Sequence, residues 1–428
     1  MTRTVQIHIG EAGVHVATLR HETVSGREHS TLEYGDEWLT HAQNFSIDRQ
    51  LPLQPGPQLH RAETTGSVFH GAIADTEPDG WARRVIASDY AAGRLSRRER
   101  GTPAQAQLSA LDLLFKVDDA ARIGALRFAD DAGAYQGPSA TTPHGLTPAA
   151  ELARTLGASR AVERHTETAA DLEFLRGRGT SLGGVRPKCS IRDDDGHLAI
   201  GKFPSVTDTL AVAKAEVLAL QLAQRAGITA ATARLVWSEG TPVALIRRFD
   251  RDGDQRLMYV SAATMVAAES AEPGEHCYTD LADALRTHGA RPRADIEELW
   301  RRIAFSILIT NVDDHLRNHG FVHVAAGAWR LSPAFDINPF PGRQRELKTW
   351  IAPDTGGEAS MNALMSAAPY FQLSAGRASA IVGEVEQAVA TWRHLGAELG
   401  MTPAELDDYS EAFEHPERDA ARAISRPA

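Results

Sequence analysis

The segment from Asp295 to Asp336 leaves a chain few ways to fold. From Asp295 through Thr310 apolar residues recur at helical spacing, with Ile296, Leu299, Trp300, Ile303 and Ile307 on one face. That helix runs into an irregular polar stretch, Asn311-Val312-Asp313-Asp314-His315-Leu316-Arg317-Asn318. Two short runs follow, Phe321-Val322-His323-Val324 and Trp329-Arg330-Leu331, which predict a small hairpin. Then comes Pro333-Ala334-Phe335-Asp336. Asp and Asn are common in loops for turn reasons alone, so Asp-x-x-x-x-Asn by itself says little. Asp336, however, stands between Phe335 and Ile337. A carboxylate among large apolar residues needs a partner. Magnesium, which takes oxygen ligands, would supply one.

An Asp, an Asn five positions later and a second Asp beyond a strand-like run form the minimal catalytic kit of the protein-kinase architecture. The first Asp orients and deprotonates the acceptor hydroxyl, and the other two side chains hold the magnesium that neutralises the nucleotide phosphates. This spacing makes Asp313 the base and Asn318 and Asp336 the metal ligands. Asp314 is the adjacent rival, but only Asp313 stands five positions before Asn318. His315 reads either as a phosphate contact or as a brace for the loop.

Such a site requires a phosphate loop and a lysine upstream. Ser181-Leu182-Gly183-Gly184-Val185-Arg186-Pro187-Lys188 precedes a strand. Gly183 and Gly184 have no Cβ, which lets backbone N–H groups approach phosphate oxygens, and Arg186 and Lys188 add charge. The loop is not a P-loop, which needs Gly-Lys-Ser/Thr opening a helix; the plainer alternative is a tight turn with a surface lysine. Lys202 lies on the next strand, Leu198 to Pro204, beyond the turn Asp193-Asp194-Asp195-Gly196. In kinase-like lobes a lysine in this place meets the nucleotide phosphates and pairs with a helix Glu, here Glu216 on the helix Ala211 to Ala226. An exposed strand lysine and a solvated helix face are the alternatives, and the order loop, lysine, glutamate weighs against them. Arg247, Phe249, Asp250 and Arg251 follow the strand Val243 to Ile246, where a hinge would meet the adenine. A salt-bridged turn of Asp250 and Arg251 is compatible with that role.

The remaining patterning divides the 428 residues into four segments: 1–135, 136–170, 171–250 and 251–428. Alternating runs open the first, and Trp81 to Ala92 and Ala106 to Phe115 have helical spacing. Gln136 to Pro148 reads as a linker, and Thr147-Pro148 as the first turn of a helix. The chain is mainly helical from Thr349 onward, with a capping box at Thr402-Pro403-Ala404-Glu405. No apolar run is long enough for a membrane span, and the N-terminus lacks a signal-peptide core. Two cysteines, Cys189 and Cys277, exclude a disulfide framework and a cysteine zinc site and fit the cytoplasm. A net charge of −11 disfavours broad nucleic-acid binding. The basic cluster Arg94, Arg97, Arg98 and Arg100 reads as a solvated loop.

Taken in order, the Ser181 loop, the Lys202 strand, Arg247-Arg248-Phe249-Asp250-Arg251, the Asp313 loop and Ala334-Phe335-Asp336-Ile337-Asn338-Pro339 resemble the HipA family of bacterial serine/threonine kinases, toxins of type II toxin–antitoxin pairs. Glu77 to Trp81, Leu111 to Leu114 and Ile123 to Phe128 resemble the family's N-terminal domain. The resemblance implies an α+β, two-lobed, protein-kinase-like fold with an N-terminal mixed subdomain and a helical C-terminal lobe. It implies ATP and Mg2+ as cofactors, with the nucleotide held by Lys202 and the loop Gly183, Gly184, Val185, Arg186, Pro187 and Lys188. It makes Ser181 the autophosphorylated residue whose modification ejects the loop and silences the kinase. It implies a protein substrate such as an aminoacyl-tRNA synthetase. It also implies a helix-turn-helix antitoxin of HipB type, with DNA reached only through that partner. The chain departs from the family at Arg247, where Glu is usual, at Thr310, where Gly is usual, and at Arg186, where Gln is frequent. Two competing readings share the same residues: a small-molecule or lipid kinase, and a catalytically silent co-repressor.

Overall fold

The computed structural model describes residues 2–60, 66–103, 107–137, 147–178, 184–268, 274–325, 327–342 and 344–426. They form two compact units: residues 1–207 with 237–260, and residues 208–236 with 261–428.

The first unit opens with an antiparallel sheet in the order Gln58–His60, Arg27–Tyr34, Val14–Val24, Thr2–Ile9, Leu126–Ala129. Alternation sets its core: Val5 and Ile7 are buried while Gln6 and His8 are less so. The helix Gly80–Glu99 begins where the Asp79 side chain accepts a hydrogen bond from the Ala82 N–H. Trp81 and Val85 on this helix pack with Ala158, Val162, Leu172, Phe174 and Leu175. The helix extends through Arg94, Arg97 and Arg98, which corrects the loop expected there. Basic residues suit the last turns of a helix, whose free carbonyls carry partial negative charge. The Arg100 guanidinium donates to one of them, Ser96 O, at 3.2 Å.

Thr147–Pro148 corrects a second expectation. It is a short strand parallel to Ile191–Arg192, and the helix starts later, at Leu152–Arg164. Proline lacks an N–H, which a sheet edge tolerates as well as a first helical turn does. Beside it, Lys188–Arg192 and Leu198–Lys202 form the expected hairpin, closed by Gly196 at φ 85°. Thr241–Arg247 pairs with the second of these strands.

The second unit contains the helix Val212–Arg225, which packs on the helices Ala375–Val389 and Trp392–Glu398. It stops at Gly227, whose φ of 77° suits glycine. At the centre is Pro292–Leu308, with Ile296, Leu299, Trp300, Ile303 and Ile307 all buried. The hairpin Gly320–Ala325 and Ala328–Leu331 follows, with Phe321 opposite Leu331. The capping box at Thr402 and Glu405 is present. Lys214 reaches Glu405 at 2.9 Å and the Gly400 carbonyl at 2.9 Å, tying two distant helices. Among the described residues, no helix is long and apolar enough to cross a membrane.

Candidate active site

In the second unit the central helix ends under strain. Thr310 sits at φ 54°, a left-handed conformation rare for a β-branched residue. Its hydroxyl donates to Ala412 O at 2.9 Å and accepts from the Arg345 guanidinium at 2.6 Å, which holds it there. The next turn is anchored by the Asn311 N–H on Ser306 O at 2.8 Å. The chain thus swings off the helix and presents Val312, Asp313 and Asp314.

The two aspartates have opposite surroundings. Asp314 is buried, and its carboxylate accepts from Tyr278 Oη at 2.6 Å and lies 3.1 Å from His319 Nε2. Burial alone would raise its pKa, but the charge and hydrogen bond of His319, then the Tyr278 hydroxyl, outweigh burial and hold it below the usual carboxylate range. Burial, reinforced by Asp314, in turn pushes Tyr278 well above its ordinary value. Asp314 is therefore a structural charge. Asp313 is half-exposed and faces Lys348 Nζ at 2.5 Å.

Asn318 ends a single turn of 3-10 helix, Leu316–Asn318, with its N–H on His315 O at 2.8 Å. Asp336 is the second strained residue, at φ 54°. Asn338 connects its loop to the first: its side chain donates to Asp336 Oδ1 at 3.3 Å and its N–H to Asn311 Oδ1 at 3.2 Å. Phe340 N–H donates to Thr310 O at 3.2 Å. The segment after Asp336 thus runs against the start of the Asp313 loop. His315 is half-buried, and its Nδ1 is buried with no hydrogen-bond partner among the described residues. No group of three or more His, Cys, Asp or Glu residues among those described could hold a metal by itself. A magnesium carried by a nucleotide needs less: one or two protein oxygens, with phosphates and water completing the shell. Asn318 and Asp336 have the chemistry of that donor set.

The residues expected to meet the phosphates lie in the first unit. Ser181 and Gly183 fall outside the described residues. Gly184 is exposed at φ 86°, and its carbonyl accepts from Trp81 N–H at 3.1 Å. A Cβ on Gly184 would lie 2.7 Å from Lys188 Nζ, and one on Gly80 would lie 2.9 Å from the Val185 side chain. Both glycines allow this close approach. Val185 and Arg186 are exposed, whereas Pro187 is buried and its carbonyl accepts from Phe203 N–H at 2.9 Å. Lys188 is no surface lysine: it is buried, with Nζ 3.3 Å from Asp79 Oδ2. Lys202 stands directly opposite Lys188 in the hairpin, so both side chains leave the same face of the sheet. Lys202 is half-buried, and Glu216 is buried in its helix.

The segment after Ile246 is a buried ion cluster. Asp250 accepts from Arg248 at 2.6 Å, Arg251 at 2.5 Å and Gly124 N–H at 2.8 Å. Arg248 also donates to the carbonyls of Ala121 and Arg122, at 2.7 and 2.9 Å. Burial would raise Asp250, but the two guanidiniums hold it far below the usual carboxylate range. Arg247 is exposed and meets His197 Nδ1 at 3.0 Å. Phe249 is half-buried, its ring 5.8 Å from that of Tyr259.

Four participants were not singled out from the sequence: Asp79, Tyr278, His319 and Lys348. Asp79 carried a faint signal, as an Asp directly before a helix pattern. The other three carried none, since each reaches its partner from outside the motif that it serves.

Residues 180–392 match the model of the HipA-like C-terminal domain. A Haemophilus influenzae protein described as "Putative kinase" is 25% identical over 187 residues, 38% of this chain and 54% of that protein. "Putative kinase Y4mE" of Sinorhizobium fredii is 24% identical over 181 residues, 37% of this chain and 41% of that protein. The chain thus spans about half the length of the curated relatives it matches. The HipA chain in a solved Shewanella oneidensis complex of HipA, HipB and operator DNA superposes with a TM-score of 0.64, covering 98% of this chain and 96% of that one. At 14% identity, that similarity establishes the two-lobed, α+β HipA fold. Residues 180–392 thus belong to the HipA-like C-terminal domain family, and the fold of the chain agrees with that match.

Proposed function

We propose that this chain is an ATP- and Mg2+-dependent serine/threonine protein kinase. The observation that carries the reading is the division of labour between neighbouring aspartates. Asp314 is locked by Tyr278 and His319, which leaves Asp313 fixed in the backbone yet open to a substrate. Asp313 orients the acceptor hydroxyl and receives its proton as the oxygen attacks the γ-phosphorus. Asn318 and Asp336 offer oxygens to the metal ion, which when bound neutralises charge on the β- and γ-phosphates. Lys202, Lys188 and the backbone of Gly183 to Pro187 bind the phosphates. Arg247 and Phe249 border the adenine.

The further reading is that of a toxin. It transfers phosphate to a protein serine, with an aminoacyl-tRNA synthetase as the acceptor class, and silences itself by phosphorylating Ser181. A helix-turn-helix antitoxin of HipB type restrains it in the cytoplasm and links it to DNA. The domain match at residues 180–392 and the Shewanella oneidensis complex support this reading.

The test is incubation of the full chain with labelled ATP, with and without magnesium, beside Asp313→Asn. Magnesium-dependent labelling of the wild type alone is expected. Equal labelling of both proteins would remove Asp313 from its role. Mass spectrometry should locate phosphate on Ser181; phosphate found only elsewhere would end the self-silencing claim.

A further inference from the structure

Lys348 was not singled out by its place in the sequence, yet its ammonium lies 2.5 Å from Asp313 Oδ1. The backbone puts it there. Lys348 N–H donates to Val312 O at 3.3 Å, and Thr349 donates to Asp314 O through its N–H at 3.3 Å and its hydroxyl at 3.0 Å. The stretch alternates like a strand, with Leu347 and Thr349 buried and the Lys348 side chain 51% exposed. Lys348 therefore points outward beside Asp313, held in register by hydrogen bonds that do not involve its own ammonium.

A pair so exposed contributes only about 0–1 kcal/mol, so stability does not account for this arrangement. Nor does a permanent pair suit the chemistry, because a base must turn its free oxygen to the acceptor hydroxyl. Phosphoryl transfer spreads negative charge over three equatorial oxygens, and a cation beside the attack line stabilises it. An ammonium on a flexible four-carbon stem can serve both positions in turn.

We propose that Lys348 is a phosphate-facing cation of this site: it pairs with Asp313 and turns from it to the γ-phosphoryl group when ATP·Mg binds. This rests on the kinase reading above. In the transfer step the acceptor oxygen bonds to the γ-phosphorus. The bond from that phosphorus to the β–γ bridging oxygen breaks, the hydroxyl proton passes to Asp313, and ADP leaves. Lys348 makes and breaks no covalent bond. It frees Asp313 and offsets the developing charge.

The experiment compares the full-length wild type with Lys348→Met, Lys348→Arg and Asp313→Asn. One readout is turnover of ATP·Mg, and a second is calorimetric affinity for ATP·Mg and for ADP·Mg, with melting as a control. For Lys348→Met we expect kcat to fall about 10²-fold. Its affinity should fall several-fold for ATP·Mg and stay unchanged for ADP·Mg, with melting unmoved. Lys348→Arg should recover part of both losses. Wild-type turnover and an intact ATP-to-ADP preference in Lys348→Met would overturn the proposal. So would equal loss of both nucleotides together with lowered melting, which marks a structural residue. If the wild type turns over and Asp313→Asn does not, either result leaves the kinase reading standing. If neither protein turns over or binds ATP·Mg, the kinase reading falls and this proposal with it.

Discussion

The segment 184–188 and the loop 313–318 are braced in different ways. Each carries a buried charge paired with an opposite one. In the loop 313–318 that charge is Asp314, whose partner His319 lies only five residues on and whose partner Tyr278 lies 36 residues back. In the segment 184–188 it is Lys188, and its partner Asp79 comes from a helix cap more than a hundred residues earlier. The first brace reaches back no further than Tyr278; the second depends on the N-terminal part of the chain. A chain cut to the segment 180–392 would keep the partners of Asp314 and lose Asp79 and Trp81, which contact Lys188 and Gly184.

The largest expected effect breaks the comparison at the reactive groups. Asp313→Asn should lower phosphoryl transfer about 10³-fold while leaving the melting temperature within a degree or two, because the side chain is half-exposed. Asp314→Ala should do the reverse in kind. It should destabilise the chain by about 3–5 kcal/mol, read by denaturant melts, since it strips a buried pair of one partner.

Asp79→Ala tests the remote brace. Removing the carboxylate that faces buried Lys188, and the cap of the helix Gly80–Glu99, should cost about 3 kcal/mol. It should also weaken nucleotide binding, although Asp79 is a brace and not a proposed ligand. Binding equal to the wild type in a folded Asp79→Ala protein would show that the phosphate loop holds its shape without help.

The Arg248, Asp250 and Arg251 cluster sharpens the contrast through pH. The Asp250 pKa lies below its unfolded value near 3.9. Its contribution is therefore complete above about pH 4 and fades as the pH falls below that. Asp250→Asn should cost about 3 kcal/mol at neutral pH, and the gap from the wild type should narrow in acid melts. A constant gap from pH 7 to pH 3 would mean that the charge of Asp250 is not what matters.

The smallest effect concerns Thr310. Replacement by Gly relieves a β-branched residue at φ 54° by about 1 kcal/mol and loses hydrogen bonds of similar worth. A net change within about 1 kcal/mol is expected. A larger loss would show that the bonds to Ala412 and Arg345 position the loop.

Much of the architecture was legible because it is periodic. The face of the central helix, the Gly196 hairpin, the Gly227 stop and the Thr402 capping box all follow from local spacing. Two local readings failed, one of them because a contact distant in sequence decided the outcome. Thr147-Pro148 could open a helix, but a strand beginning forty residues later takes it into a sheet. The arginines after Tyr90 looked like a loop because their charge masks the helix that carries them. At the site, spacing favoured Asp313 over Asp314 as the base, but it could not say what Asp314 does.

The sequence by itself determined which side chains could do the chemistry, because residue type and spacing are properties of the chain. The tertiary structure alone decided their surroundings: Asp314 buried against Tyr278, Asp313 open beside Lys348, and Lys188 drawn in to Asp79. Burial and pairing depend on segments that meet only after folding. The energy of a carboxylate or an ammonium depends on its distance from water and from opposite charge, and spacing along the chain records neither.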